Sequence, residues 1–256
     1  MKIFFSPNEI NNPPTIMDVG CGFQLITFKN KLNINEVRNV FGALTSTYFI
    51  NSFISYVDFY IKVKSMVTVD DDFINNQYIS IGKIFGGNHF IEYGQLQKSN
   101  NHYILIHSGD NGSFLHNNKQ NTIEKAVKYS YWFSRFNRDL ICNYIEKYFS
   151  IQIISKVDQI HNLYENGCIS GFSRIDNKRG NIFANGPWGK SFIIRPKNKN
   201  KYRYVRHGSV EKKIFVFTKD KNYNRKFKYE NLVKNSDCEI LYILKPLEIG
   251  RPINDH

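Results

Sequence analysis

Residues 121–150, "NTIEKAVKYSYWFSRFNRDLICNYIEKYFS", decide the fold class. Apolar residues recur there at three- and four-residue spacing, the period of one helix face. Asn121 is the expected N-cap, and Glu124 stands at the capping-box position three residues on. Upstream, residues 34–63 carry the same spacing after an Asn/Glu-rich start and predict a second helical region. Residues 70–77, "DDDFINNQ", read as a polar break. Residues 78–97, "YISIGKIFGGNHFIEYGQLQ", alternate around a glycine pair and predict strand, tight turn, strand. "HYILIHSGDNG" (102–112) reads as a short buried strand running into a Gly-rich turn. Downstream come only short strands: "CISGFSRI", "KSFIIRP", "YRYVRHGS", "KIFVFTK" and "CEILYILKPLEI". Helices early, strands late and no regular β-α-β rhythm predict an α+β fold, mixed sheets flanked by helices. No long linker stands out, so one domain is expected over residues 1–256, with 1–13 irregular.

The bulk numbers narrow the function classes. With 256 residues, 41% of them hydrophobic, the chain can bury a sizeable core. The start, "MKIFFSPNEINNPP", has too short an apolar run for a signal peptide. The greasiest later run, residues 47–63, is broken by Asn51, Ser52, Ser55 and Asp58 and does not read as a membrane span. A soluble, cytoplasmic protein is expected. Cys21, Cys142, Cys168 and Cys238 form no CxxC pair, which argues against a disulfide framework. The last three read as small buried hydrophobes.

The net charge of +13 suits a polyanionic partner, because neutralising phosphates releases counterions. "RPKNKNKYRYVRHG" (195–208) and "KDKNYNRKFKYENLVK" (219–234) interleave lysine and arginine with aromatic residues, a mixture fit for phosphate contact and base stacking. A solvated loop and hairpin would read the same way. The richness in Asn, Ile, Lys and Tyr, as AT-rich coding DNA would give, also accounts for part of the charge.

"PTIMDVGCGFQ" (14–24) sets Asp18 three residues before Cys21 and places Gly20 and Gly22 on either side of the thiol. Four of the seven histidines stand at element ends or in polar turns: His89 in "GGNHFIE", His107 in "LIHSG", His161 in "QIHNLYENG" and His207 in "RHGS". One such histidine alone is more often structural than a ligand. Thiolate, imidazole and carboxylate together can fill two adjacent first-row metal sites, and a thiolate can bridge both.

Taken in order, these motifs resemble the tRNA-splicing RNA ligase family RtcB. "DVGCG", "GGNHFIE" and "HSG" look like that family's DIGCGM, GxGNHFIE and HSGSRG. "YWFSRFNRDLI" resembles its helix around an Asn-Arg pair, and "HNLYE" its HNY/HNxV segment. "GPWGKSFIIR", "YVRHGS" and "ILKPLEIGR" are similar to its GSMG, HGAGR and closing LRPL runs. The likeness spans roughly residues 14–251 in one register. It implies a domain with a central dinuclear metal site and an enzyme using GTP and two Mn²⁺ ions. The enzyme would join RNA ends bearing a 2′,3′-cyclic phosphate or 3′-phosphate to 5′-hydroxyl ends, in RNA repair or splicing. Carried over, Cys21 bridges the metals, Asp18 and His89 complete one site, and His107 and His161 the other. Asn88 touches a nucleotide phosphate, and His207 attacks the α-phosphorus of GTP. Glu92 reads guanine through its N1–H and N2–H, and Arg251 stands where the family has a guanine-contacting lysine. Without the resemblance, Glu92 reads as an outward-facing strand residue.

The departures fall on the phosphate clamps. Asn111 in "HSGDNG" and Glu211 in "HGSVE" stand where the family carries arginine, and an acid repels what an arginine fork would hold. "RIDNKRGN" is a reduced form of an RKGA-like stretch, and the PDVH-type N-terminal segment is missing. Lys190, Arg195, Arg206, Lys212 and Lys213 are the nearby cations able to take over phosphate contact. The alternative expectation is therefore a degenerate member. It would bind RNA or a partner protein, or only guanylylate itself or hydrolyse cyclic phosphate, without sealing. Broken tRNA-like or mRNA ends are the expected partners; an activating protein is left open.

Overall fold

The computed structural model describes residues 20–45, 54–84, 89–96, 99–109 and 121–160, and strand segments between 163 and 250. Of the strand segments before Pro246, only the backbone is described. The fold is mixed α+β, and its main sheet is antiparallel at every described pairing. β1 (Gly22–Phe28), β2 (Phe90–Leu96), β3 (His102–Ser108) and β4 (Ser155–Ile160) form its best-defined part. Across the sheet the order is β4, β1, β3, β2, then β13 (Cys238–Gly250), β9 (Ser191–Pro196) and β8 (Ile182–Phe183). A second sheet runs β12 (Lys221–Phe227), β11 (Ile214–Thr218), β10 (Arg203–Arg206), β7 (Phe172–Ile175), and β5 (Leu163–Glu165) pairs with β6 (Cys168–Ser170).

Four helices are described: α1 (Ile34–Thr45), α2 (Tyr56–Met66), α3 (Asp71–Ile79) and α4 (Ile123–Tyr148). One face of the main sheet (Ile26, Phe28, Ile91, Tyr93, Ile104, Ile106) is buried with α1 residues Val37, Val40, Phe41 and Leu44. Ile141, Cys142 and Ile145 from the second half of α4 join the same cluster. Phe59 and Val63 of α2 and Ile74 of α3 instead meet Ala126, Tyr129 and Phe133 in the first half of α4. The other sheet face carries Phe23, Leu25, Phe90, Leu96, Tyr103 and Leu105, all buried. The strands are thus apolar on both faces, which removes the alternation that marks a half-solvated strand.

The structure corrects several boundaries. The single helical region 34–63 is two helices. α2 starts afresh at Ser55, whose hydroxyl caps the Asp58 N–H at 3.1 Å. The break read at 70–77 is helix α3, because Asp70 accepts the Phe73 N–H at 2.7 Å and Asp71 and Asp72 fill the dipole-favoured first turn. Residues 78–84 accordingly end a helix and turn, and no strand precedes the glycine pair there. The N-cap of α4 is Thr122 rather than Asn121. Asn121 instead binds the backbone of Thr68 through both its amide atoms, at 2.8 and 2.7 Å, and ties the start of α4 to the α2–α3 connection. Among the described residues, no helix is long and apolar enough to cross a membrane. Neither Cys21 nor Cys142 is in a disulfide, and Cys142 is buried in the core as expected, its pKa pushed up to about 11 by burial. Cys168 and Cys238 have no described side chains.

Candidate metal centre

Antiparallel order brings the start of β1, the start of β2 and the end of β3 to one end of the sheet. The ladder pairs Gly22 with Ser108, Phe23 with His107, and Phe90 with His107. His107 therefore stands on the central strand, on the face that carries Phe23 and Phe90. Cys21 lies one step before β1 and His89 one step before β2. Residues 68 and 86 positions apart in sequence converge: the Cys21 Sγ is 3.0 Å from His89 Nε2 and 3.4 Å from His107 Nε2. The two imidazoles meet edge to face, centroids 5.3 Å apart, and all three side chains are buried.

Two close approaches hold the thiol there. Gly20 has φ +88°, and a Cβ on it would lie 2.6 Å from the Ser130 carbonyl oxygen on α4. Only glycine adopts that conformation without strain and leaves the helix room. A Cβ on Gly109, just past His107, would lie 3.1 Å from the Cα and Cβ of Cys21. The glycine of "HSG" is what lets the third arm reach the thiol. Gly22, flanking the thiol on the other side, is an ordinary strand residue of β1.

The donor set fits a divalent transition metal. One sulfur and two imidazole nitrogens lie within 4.8 Å of one another. A tetrahedral ion with metal–sulfur and metal–nitrogen bonds of about 2.3 and 2.0 Å needs sulfur–nitrogen separations of roughly 3.6 Å. The two sulfur–nitrogen separations, 3.0 and 3.4 Å, lie inside that value by about 0.6 and 0.2 Å.

Glu92 is neither exposed nor outward-facing. It is fully buried on the same sheet face as His107, one residue beyond Ile91 and opposite Leu105. Tyr103, the diagonal neighbour on β3, donates its hydroxyl hydrogen to Oε1. Oε2 has no hydrogen-bond partner among the described residues. Burial, opposed by that one hydrogen bond, raises the Glu92 pKa to about 7. The folded carboxyl holds its proton more tightly than an unfolded one. Its stabilising contribution is complete below the ordinary carboxylate value and is lost as pH rises through about 7. Glu92→Gln, neutral at every pH, should flatten that part of the profile and raise the urea midpoint at pH 8 relative to the wild type. Equal pH slopes for the two proteins would contradict it.

The remaining sequence-predicted positions, Asp18, Asn88, Asn111, His161, His207, Glu211 and Arg251, lie outside the described residues. So do Lys190, Lys212 and Lys213, and Arg195 and Arg206 are described as backbone only. Two described neighbours bear on this. Ile160, the last residue of β4, pairs with Gly22, and Gly250, the last of β13, pairs with Ile91. Both strands end where Cys21 and His89 begin their own, one residue short of His161 and Arg251. Sequence reasoning assigned no role to Asn137, Arg138, Gly109 or Tyr103. For the first two a signal existed in the Asn-Arg pair of "YWFSRFNRDLI", which the resemblance already set apart. No family model matches the chain, and no curated protein matches it.

Proposed function

We propose that the chain is an RtcB-like RNA ligase, GTP- and Mn²⁺-dependent, folded as one domain over residues 1–256. It would join 2′,3′-cyclic phosphate or 3′-phosphate ends to 5′-hydroxyl ends. The observation that carries this reading is the meeting of Cys21, His89 and His107, one from each of three separate motifs, around one point. In that reading Asp18, Cys21, His89, His107 and His161 would hold two divalent ions, and Asn88 and Arg251 would contact the nucleotide. The ions would supply charge neutralisation for the triphosphate and for the entering and leaving oxygens. The chain's own chemistry is nucleophilic. A ring nitrogen of His207 attacks the α-phosphorus of GTP, the bond to the β-phosphate oxygen breaks, and pyrophosphate leaves. Water first opens a 2′,3′-cyclic phosphate to a 3′-phosphate; GMP then passes from His207 to that phosphate, and a 5′-hydroxyl displaces GMP as the RNA bond forms. In the same reading Glu92 would accept the N1–H and N2–H of guanine, and a buried Oε2 with no hydrogen-bond partner among the described residues supports that role.

Incubation with α-labelled GTP and Mn²⁺ tests the reading. The expected result is an acid-labile protein label that disappears in His207→Ala, followed by sealing of an RNA carrying 2′,3′-cyclic phosphate and 5′-hydroxyl ends. Labelling without sealing would mean that the acid at Glu211 and the amide at Asn111 have cost the RNA step. No label at any Mn²⁺ concentration from folded protein would sink the ligase.

A further inference from the structure

One residue of α4 bonds the chain beside both Cys21 and His107 without contributing a ligand. Arg138 is fully buried. Its Nη1 donates to the Ser108 carbonyl at 2.8 Å and, more weakly, to the Gly20 carbonyl at 3.5 Å. Ser108 follows His107, and Gly20 precedes Cys21, so one guanidinium spans the chain on both sides of the thiolate–imidazole pair. Its Nε is anchored on Asp158 of β4 at 2.9 Å, and Arg135 reaches the other oxygen of that carboxylate at 3.2 Å. Asn137, its neighbour, ties a different segment: its Oδ1 accepts the Gly82 N–H at 2.6 Å, and its Nδ2 donates to the Lys83 carbonyl at 2.9 Å, just past α3.

Geometry alone makes this more than core hydrogen bonding. Consecutive helix residues point about 100° apart, so one helical step faces the Gly20/Ser108 junction and the Gly82–Lys83 segment at once. A planar guanidinium holds one nitrogen on the two carbonyls and another on the carboxylate in a fixed geometry that a flexible ammonium does not reproduce. We propose that Arg138 is a positioning clamp for the metal centre, setting the separation of Cys21 from His107. The inference rests on the metal reading of the cluster and goes beyond it in naming what holds the ligands at binding distance.

The test is a Co²⁺ titration of full-length protein, which reports affinity and, through the thiolate-to-cobalt band and the ligand-field bands, geometry. Arg138→Lys keeps the charge towards Asp158 and loses the fork. Asn137→Asp keeps the acceptor for Gly82 and loses the donor for Lys83. Both should still unfold cooperatively, and Arg138→Lys should bind Co²⁺ about 10- to 100-fold more weakly, the usual loss when a ligand's supporting partner is removed. Arg138→Lys should also weaken the thiolate-to-cobalt band. Asn137→Asp, whose bonds reach only Gly82 and Lys83, should keep wild-type affinity and spectra; an equal loss there would mean a general loosening of α4 and overturn the clamp. Should Arg138→Lys fail to fold, Asp158→Asn reads the same arm, since it loosens the guanidinium without removing it. Wild-type affinity and spectra in folded Arg138→Lys or Asp158→Asn would overturn the clamp and leave the metal centre standing. A wild-type chain that takes up no Co²⁺ would overturn the metal centre and the clamp with it.

Discussion

Replacing Cys21 with alanine should abolish tight Mn²⁺ or Co²⁺ binding and, with it, labelling by GTP. Sγ is the donor nearest to both imidazoles, at 3.0 and 3.4 Å, and the only soft, anionic one among the three. Without it, two neutral nitrogens remain in the cluster, and they hold a divalent ion neither by charge nor by number. A loss of more than about 100-fold in affinity follows from removing a primary ligand, since even a supporting partner costs 10–100-fold. The fold should survive, because the change deletes a single buried atom; a melting midpoint near that of the wild type would show it. Cys21→Ser should do little better, since a hydroxyl is a harder and less acidic donor. Metal titration by calorimetry is the measurement. Unchanged affinity in Cys21→Ala would place any metal site elsewhere.

Gly20→Ala should cost the fold itself. Two terms add. The residue sits at φ +88°, where an L side chain costs roughly 1–2 kcal/mol. The new methyl would lie 2.6 Å from a helix carbonyl oxygen and 2.7 Å from the Ser134 hydroxyl. Such overpacking costs typically about 1–3 kcal/mol. The sum, roughly 2–5 kcal/mol, is a large part of the 5–15 kcal/mol that holds a typical domain together. Urea unfolding should show the midpoint drop. Adding Ser134→Ala should recover only a part, because the closer obstacle is backbone on α4 and cannot be removed by substitution. Full recovery in the double variant would mean that the helix is free to shift.

What the sequence reveals follows from where the burial lies. α4 is legible because one of its faces repeats apolar residues over seven turns, and β3 because "HYILIH" is an uninterrupted apolar run. α3 is hidden: two aspartates and two asparagines lower its helix propensity, and the Asp70 cap that starts it reads equally well as loop. β1 is hidden for the opposite reason. It is buried on both faces, so "GFQLITF" shows no alternation, and the Gln24 amide in its middle donates from Nε2 to Asp139 at 2.7 Å. At the site, the residue types of Cys21, His89 and His107 suggest a metal, whereas their distances depend on strand order, which no local pattern encodes. The environment of Glu92 is likewise non-local. Its burial comes from the sheet around it, so its sequence neighbourhood alone suggested a solvent-facing residue.

The strand order also dictates when the candidate metal centre can come into being. β1 lies between β3 and β4, so the segment carrying Cys21 has no sheet partner until residues 102–108 and then 155–160 have been made. At a synthesis rate of about 5–20 residues per second, the wait to β4 is on the order of ten seconds. Through that interval "GFQLITF", buried at every position in the finished sheet, is an unpaired apolar strand. Arg138 emerges only shortly before β4. The cluster is thus assembled late, from an earlier segment that must be kept from pairing with other chains.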